Sequence, residues 1–331
     1  MCTALSMYTD AHYFGRNLDL ERSYGEEVCI TPRRAPLTFR KMGELCKHYA
    51  FIGMATVVDG TPLYYDAANE HGVAMAELNF PHNAHYPALK AGKDNITPFE
   101  CIPWVLAQCK TLDDVKVLLQ NINLVNIPFS DTLPLSPLHW MIADKNDAIV
   151  VESMQDGLHV YDNPVRVMTN NPPFPMQLFN LNNYRHLQVT NGENHFAKNL
   201  DLATYCTGLG GIGLPGDMSS MSRFVRMAFL SQNSVCDRNE LSAVSQFFHL
   251  LSAVEMTRGG CQTDDGQWDI TVYSSCIHAD SGRYYYTTYD NRQITCVDMY
   301  NTDIESDTVS RYPLITAPQI VTQNTVQKDR I

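Results

Sequence analysis

Basic residues are scarce in this chain. Lysine and arginine number 24 against 36 aspartates and glutamates in 331 residues, a formal net charge of −12. No basic run is longer than two, as at Arg33-Arg34. Nucleic-acid binders usually carry a basic stripe, so no nucleic-acid partner is expected. Long apolar runs are missing too. Stretches such as Ala148 to Val151 fall far short of the roughly 20 residues of a spanning helix, so no stable membrane insertion is expected. The opening Met1-Cys2-Thr3-Ala4-Leu5-Ser6 has no positive segment followed by an apolar core. No signal peptide is read there, and a cytoplasmic protein is expected. The ten cysteines include no pair separated by two residues, which excludes a zinc-knuckle pattern. Without a secretory signal, a disulfide framework is not expected either. His82-Asn83-Ala84-His85 comes nearest to a ligand pair, but it lies in a loop beside Pro81 and has no acidic third ligand close in sequence. No metal and no cofactor are expected.

What is present is a large apolar fraction, 44% of residues, with only 18% charged. That is enough to build a core and excludes a disordered tail. Strand patterns run from Cys2 to Tyr8 and His12 to Asn17, joined at Thr9-Asp10 as a hairpin, then at Glu27 to Thr31, Tyr49 to Val58 and Val73 to Leu78. Thr97-Pro98-Phe99-Glu100 reads as a capping box that opens a helix, and a second helix starts at Thr111. Strands return at Leu138 to Ala143, Ala148 to Glu152, Leu158 to Tyr161 and Val165 to Thr169. Helices follow at Ser222 to Leu230 and Glu240 to Val254. Strands close the chain at Ile270 to His278, Arg283 to Tyr289 and Gln293 to Met299. Strands and helices come in blocks rather than alternating singly, which favours layered antiparallel sheets over a doubly wound parallel one. No repeat or linker divides the chain, so one domain is expected.

The glycine-rich stretch from Gly208 to Asp217 is not a phosphate cradle. No Gly-Lys-Ser/Thr follows it, and Pro215 interrupts a dinucleotide turn. It reads as a tight loop leading into a helix near Ser219, one that delivers Arg223 to a site. Arg226 reads as a surface or interface charge.

Cys2 is the sharpest clue. Removal of Met1 would leave it as the N-terminus, joining a nucleophilic thiol to its own base. The thiol and α-amine have reference pKa values near 8.5 and 7.7–8.0, so the amine can take the thiol proton near neutral pH. Gly15-Arg16-Asn17-Leu18-Asp19 ends the next strand, and a hairpin brings it beside Cys2. There Arg16 would favour the thiolate and Asp19 the ammonium; the bland alternative is an exposed ion pair.

Met1-Cys2-Thr3, Phe14-Gly15-Arg16-Asn17-Leu18-Asp19, Glu77-Leu78-Asn79-Phe80 and Leu138-His139-Trp140 stand in order along the chain. Val167-Met168-Thr169-Asn170-Asn171-Pro172, Gly213-Leu214-Pro215-Gly216-Asp217, Ser222-Arg223-Phe224 and Tyr284-Tyr285-Tyr286 follow them. This ordered set closely resembles the choloylglycine hydrolases, the bile salt hydrolases of the N-terminal nucleophile superfamily, over nearly the whole chain. The resemblance implies an α+β, four-layer αββα fold with two stacked antiparallel sheets, spanning residues 2–331 as one domain. It also implies a homotetramer, and a small-molecule substrate in the form of glycine- or taurine-conjugated bile salts. By matching motifs Cys2 is the nucleophile and its amine the base. Arg16 and Asp19 tune that pair, Asn79 and Asn170 help bind the oxyanion, and Arg223 supports the site electrostatically. Leu18, Tyr24, Val58, Tyr65, Phe129, Leu133 and Leu138 should line the steroid slot; each also reads as ordinary core, Leu138, in a strand, most readily, while Pro128, Ser130 and Pro134 make the Phe129 and Leu133 stretch a loop and so a better pocket wall.

One position departs from the family pattern. Glu77 stands where Ala-Gly-Leu-Asn would place glycine, on the same strand face as Asn79. It could repel the anionic end of the substrate, perturb the oxyanion donor, or face solvent. Two alternatives remain. One is penicillin V acylase, although that branch tends to carry tyrosine where Asn79 stands. The other is a noncatalytic carrier of amphipathic acids, against which the intact Cys2, Arg16, Asp19, Asn170 and Arg223 speak.

Overall fold

A computed structural model of the chain describes residues 1–324. Two large antiparallel sheets dominate it. The six-stranded sheet runs in the order Val167–Met168, Cys2–Tyr8 (β1), His12–Leu20 (β2), Ile270–His278, Arg283–Thr288 and Thr295–Asp298. The eight-stranded sheet runs Gly157–Asp162, Ala148–Met154, Leu138–Ala143, Ala74–Asn79, Thr61–Asn69, Phe51–Val58, Glu26–Thr31 and Ser310–Pro313. Five α-helices accompany them: α1 (Cys101–Leu106), α2 (Leu112–Leu119), α3 (Phe174–Asn180), α4 (Ser220–Gln232) and α5 (Glu240–Ser252).

The sheets face each other, with β1 and β2 lying against the Ala74–Asn79 strand. Helices α4 and α5 cover the outer face of the six-stranded sheet, and α1 covers the eight-stranded one. This is an α+β fold of four layers, and the block pattern of the sequence follows from it. The sheets share one core that includes Leu5, Phe14, Ile52, Met141, Val150 and, from the helices, Phe224 and Phe247. A second core, with Trp104, Val105, Val115, Trp140 and Ile142, lies on the α1–α2 side. Because β1 is covered on both faces, its first six residues are all buried and show no polar alternation.

Local chemistry explains the boundaries. Thr111 caps α2, accepting from the Asp114 N–H at 3.2 Å while the Asp114 carboxylate accepts from the Thr111 N–H at 3.0 Å. Glu100 reaches back to the Thr97 N–H at 2.9 Å, but the Pro98–Glu100 turn it closes is 3-10 in form and the α-helix begins at Cys101. Gly15 is required by contact: a Cβ there would lie 1.9 Å from the Ser275 carbonyl oxygen on the neighbouring strand.

The strand over Thr61–Asn69 carries no clean alternation, and the sequence reading passes over it. Its partner register slips between Met54 and Ala55, which leaves Tyr65 as the extra residue of a β-bulge. Helix α3 and the Ser310–Pro313 edge strand are also structural additions. The expected Val165 to Thr169 strand shortens to Val167–Met168, because Asn170 beyond it turns into the site. Among the described residues, no helix is long and apolar enough to cross a membrane, and no group of three or more His, Cys, Asp or Glu side chains could hold a metal ion.

Candidate active site

The hairpin brings the two motif segments together. Cys2 stands opposite Leu18 in the β1–β2 register, and Arg16, Asn17 and Asp19 are all fully buried. Cys2 itself is 3% exposed. Its backbone N–H donates to Asn170 Oδ1 at 2.8 Å. Arg223 Nη2 donates to the same oxygen at 2.9 Å, while its Nη1 reaches the Cys2 carbonyl and Thr3 Oγ1, each at 2.6 Å. Asn170 Nδ2 donates to the Asn79 carbonyl at 2.8 Å. One carboxamide thus joins the nucleophile's nitrogen, an arginine and the strand end that carries Asn79.

Arg16 and Asp19 do not form an ion pair with each other. The Arg16 guanidinium crosses between the sheets and donates through Nη1 to the Tyr65 carbonyl at 3.1 Å and to the Glu77 carbonyl. The Tyr65 bulge leaves that carbonyl free of the ladder to receive it. Burial pulls the Arg16 pKa down, but Cys2, Tyr273, Asp66 and Glu77 more than offset this and hold it above its ordinary value. Arg16 therefore stays a cation. A second bulge, between Thr271 and Tyr273, lies opposite Asp19. It sets Thr271 Oγ1 to donate to Asp19 Oδ1 at 2.6 Å, while Oδ2 is buried with no partner among the described residues. Burial raises the Asp19 pKa, against the pull of the nearby N-terminal amine, Arg223 and Arg16.

The strand that delivers Asn170 is anchored from behind. Its N–H donates to Ser220 Oγ at 2.9 Å, and Gln177 of α3 donates to its carbonyl at 3.0 Å. Arg223 is aimed by the first turn of α4, where Ser219 caps the helix. The expected loop and helix entry are both present. Asp217 accepts from the Ser219 N–H at 2.9 Å and from Ser222 Oγ at 2.6 Å. Arg226 corrects the sequence reading. It is 8% exposed and donates to the Ala253 and Pro215 carbonyls at 2.8 and 2.7 Å, tying the glycine-rich loop to the end of α5 rather than facing solvent.

The family model for linear amide C–N hydrolases, choloylglycine hydrolase family, matches residues 2–312. The chain belongs to the choloylglycine hydrolase family. A bile salt hydrolase/transferase from Lactiplantibacillus plantarum is 52% identical over 324 residues, covering 98% of this chain and all of that protein. A second bile salt hydrolase/transferase, from Clostridium perfringens, is 37% identical, covering 94% of this chain and 96% of its own length. The crystal structure of a mutant conjugated bile acid hydrolase from Clostridium perfringens superposes with a TM-score of 0.91 at 36% identity, covering 98% of this chain and all of that one. A penicillin V acylase from Agrobacterium tumefaciens shares the fold alone, with a TM-score of 0.73 at 19% identity, covering 94% of this chain and 90% of that one.

The apolar residues expected around the substrate are more dispersed than the catalytic candidates. Leu18 is buried beside Cys2, and Tyr65 packs against the inter-sheet core with its hydroxyl 2.8 Å from Thr56 Oγ1. Val58 ends its strand half-buried, and Tyr24, in the loop after β2, is 47% exposed. Leu133 is also exposed. Phe129 lines a 770 Å³ cavity with Phe39, Tyr64 and Phe99, and that lining does not include Cys2. Leu138 belongs to the helix-side core, across the sheet from Cys2.

Glu77 does not simply face solvent. It is half-buried opposite Trp140. Burial pushes its carboxyl up to about 8, with Arg16 opposing and Asp66 adding to the rise. Folding therefore favours the protonated form, and that contribution is lost as pH climbs from the ordinary glutamate range towards 8. Glu77→Gln, which is permanently neutral, is expected to match the parent near pH 4.5 and to exceed it by on the order of 1–3 kcal/mol at pH 8. Chemical denaturation at the two pH values reads the difference; an equal gain at both would show that the carboxyl's ionisation is not the cause. Gln177, Ser220 and Thr271 escape the sequence reading, and Thr3 enters it only as part of the opening motif, with no role. Ser220 lies beside the expected helix start near Ser219, but nothing in sequence marks Gln177 or Thr271.

Proposed function

We propose that this chain hydrolyses the amide bond of glycine- or taurine-conjugated bile salts through a thioester on Cys2. The observation that carries the chemistry is the Asn170 carboxamide, whose oxygen receives both the Cys2 nitrogen and Arg223. The similarity to bile salt hydrolases over nearly the full length supports the substrate class.

Met1 removal converts the Cys2 nitrogen from an amide into an amine without moving it from Asn170. The amine then takes the thiol proton, and Arg16 favours the thiolate. The thiolate attacks the amide carbonyl, forming a C–S bond and an oxyanion. The second N–H of Asn170 and the side-chain amide of Asn79 have no partner among the described residues and are free to donate to that oxyanion. The ammonium protonates the leaving nitrogen as the C–N bond breaks, releasing glycine or taurine. Water, deprotonated by the same amine, then hydrolyses the thioester. Asp19 holds the ammonium form, a role supported by its buried Oδ2, which has no partner among the described residues. Leu18, Tyr24, Val58 and Tyr65, with Leu133, supply the apolar side of the steroid slot. The substrate is anionic and the chain carries a net charge of −12, so Arg16 and Arg223 provide the local positive potential.

The reading includes a single domain over residues 2–331, of which 325–331 lie outside the described residues, and a cytoplasmic homotetramer. It is tested by amino-acid release from a panel of glyco- and tauro-conjugates with phenoxymethylpenicillin alongside. Release from the conjugates is expected. Turnover of the penicillin alone would move the chain to the acylase branch, and turnover of none would favour a carrier.

A further inference from the structure

We propose that His139 and Glu152 are a buried pair of positioning residues that fix the two backbone segments carrying Asn79 and Asn170. The proposal rests on the catalytic reading given above for those two asparagines. His139 and Glu152 lie on adjacent antiparallel strands, at 1% and 0% exposure, and His139 Nδ1 is 3.2 Å from Glu152 Oε1. The imidazole stacks flat on Phe80, with ring centroids 4.3 Å apart and an interplanar angle of 5°. Phe80 directly follows Asn79. Glu152 Oε1 also accepts from the Phe174 N–H at 3.0 Å, which pins the first residue of α3. One turn later on that helix Gln177 holds the Asn170 carbonyl. One side-chain pair, on the sheet face shared with Met141 and Val150, therefore reaches both oxyanion-donor segments.

Further bonds join the same segments to each other. Asn171 Nδ2 donates to the Pro81 carbonyl at 2.8 Å, and Asn83 Nδ2 donates to Asn171 Oδ1 at 2.9 Å. The pair is not ordinary packing. His139 Nε2 and Glu152 Oε2 are buried with no partner among the described residues. Two unpaired polar atoms are a cost that an apolar pair of the same shape would avoid. Neither residue makes a hydrogen bond to Cys2, Arg16 or Arg223, so their action runs through backbone placement.

The test compares Glu152→Leu, His139→Leu and Glu152→Gln with the parent. The leucine variants are expected to lose 10- to 100-fold in kcat on a conjugated bile salt with KM within about twofold, a loss confined to transition-state stabilisation. Alkylation of Cys2 by iodoacetamide is expected to stay at the parent rate, because the groups around the thiol are untouched. Glu152→Gln keeps an oxygen for the Phe174 N–H and is expected to restore most of the lost turnover. Hydrogen exchange gives a reading that needs no substrate: amides near Phe80 and Phe174 should exchange faster in the leucine variants, with β1 unchanged. Should a leucine variant fail to fold, Phe80→Leu removes the stack alone and takes its place in each measurement. Unchanged kcat with unchanged exchange overturns the proposal. A loss shared equally by kcat, Cys2 alkylation and β1 protection overturns it as well, since that marks general destabilisation. Parent enzyme inactive on every conjugate, with exchange altered as expected, would sink the substrate reading and leave the positioning role standing.

Discussion

Cys2→Ala is expected to reduce amide hydrolysis by on the order of 10⁴ or more while the protein stays folded. The size of the effect follows from chemistry rather than packing. The proposed cycle passes through the sulfur, and no other thiol can replace it: Cys29, Cys101, Cys109 and Cys276 are buried elsewhere in the cores, Cys236 and Cys261 are partly buried outside the β1–β2 hairpin, and Cys46, Cys206 and Cys296 are on the surface. The structural cost is small, because one buried sulfur is removed from a strand held on both sides by ladder bonds, on the order of 1 kcal/mol. Cys2→Ser preserves the shape and the backbone contacts to Asn170 and Arg223, yet should be severely impaired, since a hydroxyl is a far weaker nucleophile at neutral pH. Steady-state turnover together with a thermal melt separates these effects. Retained hydrolysis in the alanine variant would remove Cys2 from the mechanism.

Asn170→Ala is expected to lower kcat by on the order of 10²–10³. Three functions leave together: the proposed oxyanion donor, the acceptor for the Cys2 nitrogen, and the tie to Asn79. Arg223 would lose its contact with the carboxamide oxygen in a fully buried position, at a stability cost of about 1–3 kcal/mol. Asn170→Asp distinguishes the roles. It restores an acceptor for Arg223 and the Cys2 nitrogen but has no N–H, so it should recover stability and leave kcat low. Recovery of kcat in the aspartate variant would show that Asn170 acts as an acceptor only and does not bind the oxyanion.

Much of this arrangement is legible in the sequence, and for identifiable reasons. The β1–β2 hairpin is written in two short apolar runs and a polar turn, and it alone places Arg16 and Asp19 beside Cys2. The capping residues Thr111 and Ser219 and the glycine-rich loop mark helix starts that the structure reproduces. Two β-bulges were not legible. Each depends on the partner strand, and they decide which carbonyl Arg16 meets and which hydroxyl Asp19 receives. The Thr61–Asn69 strand escaped because Pro62 and the bulge at Tyr65 break its alternation. Arg226 misled for a related reason: an arginine three residues from Arg223 looks like a surface charge until the loop carbonyls of Pro215 and Asp217 close over it. Glu77 stands out in the sequence as a departure, but the sequence leaves its surroundings open; the Trp140 pairing places it in a half-buried setting that raises its carboxyl.

In the proposed cycle the amine of Cys2 is the catalytic base. In the unprocessed chain Met1 occupies that end of β1: its carbonyl accepts from the Asp19 N–H at 2.8 Å, and its own amine donates to the Asp19 carbonyl at 2.5 Å. An amide nitrogen at Cys2 cannot take a proton from the thiol. The most direct measurement is the intact mass of the purified, active enzyme, taken with its turnover. A chain lighter than the translated sequence by one methionine residue is expected, with a variant that retains Met1 inactive. Full activity in a population that retains Met1 would contradict that role of the amine.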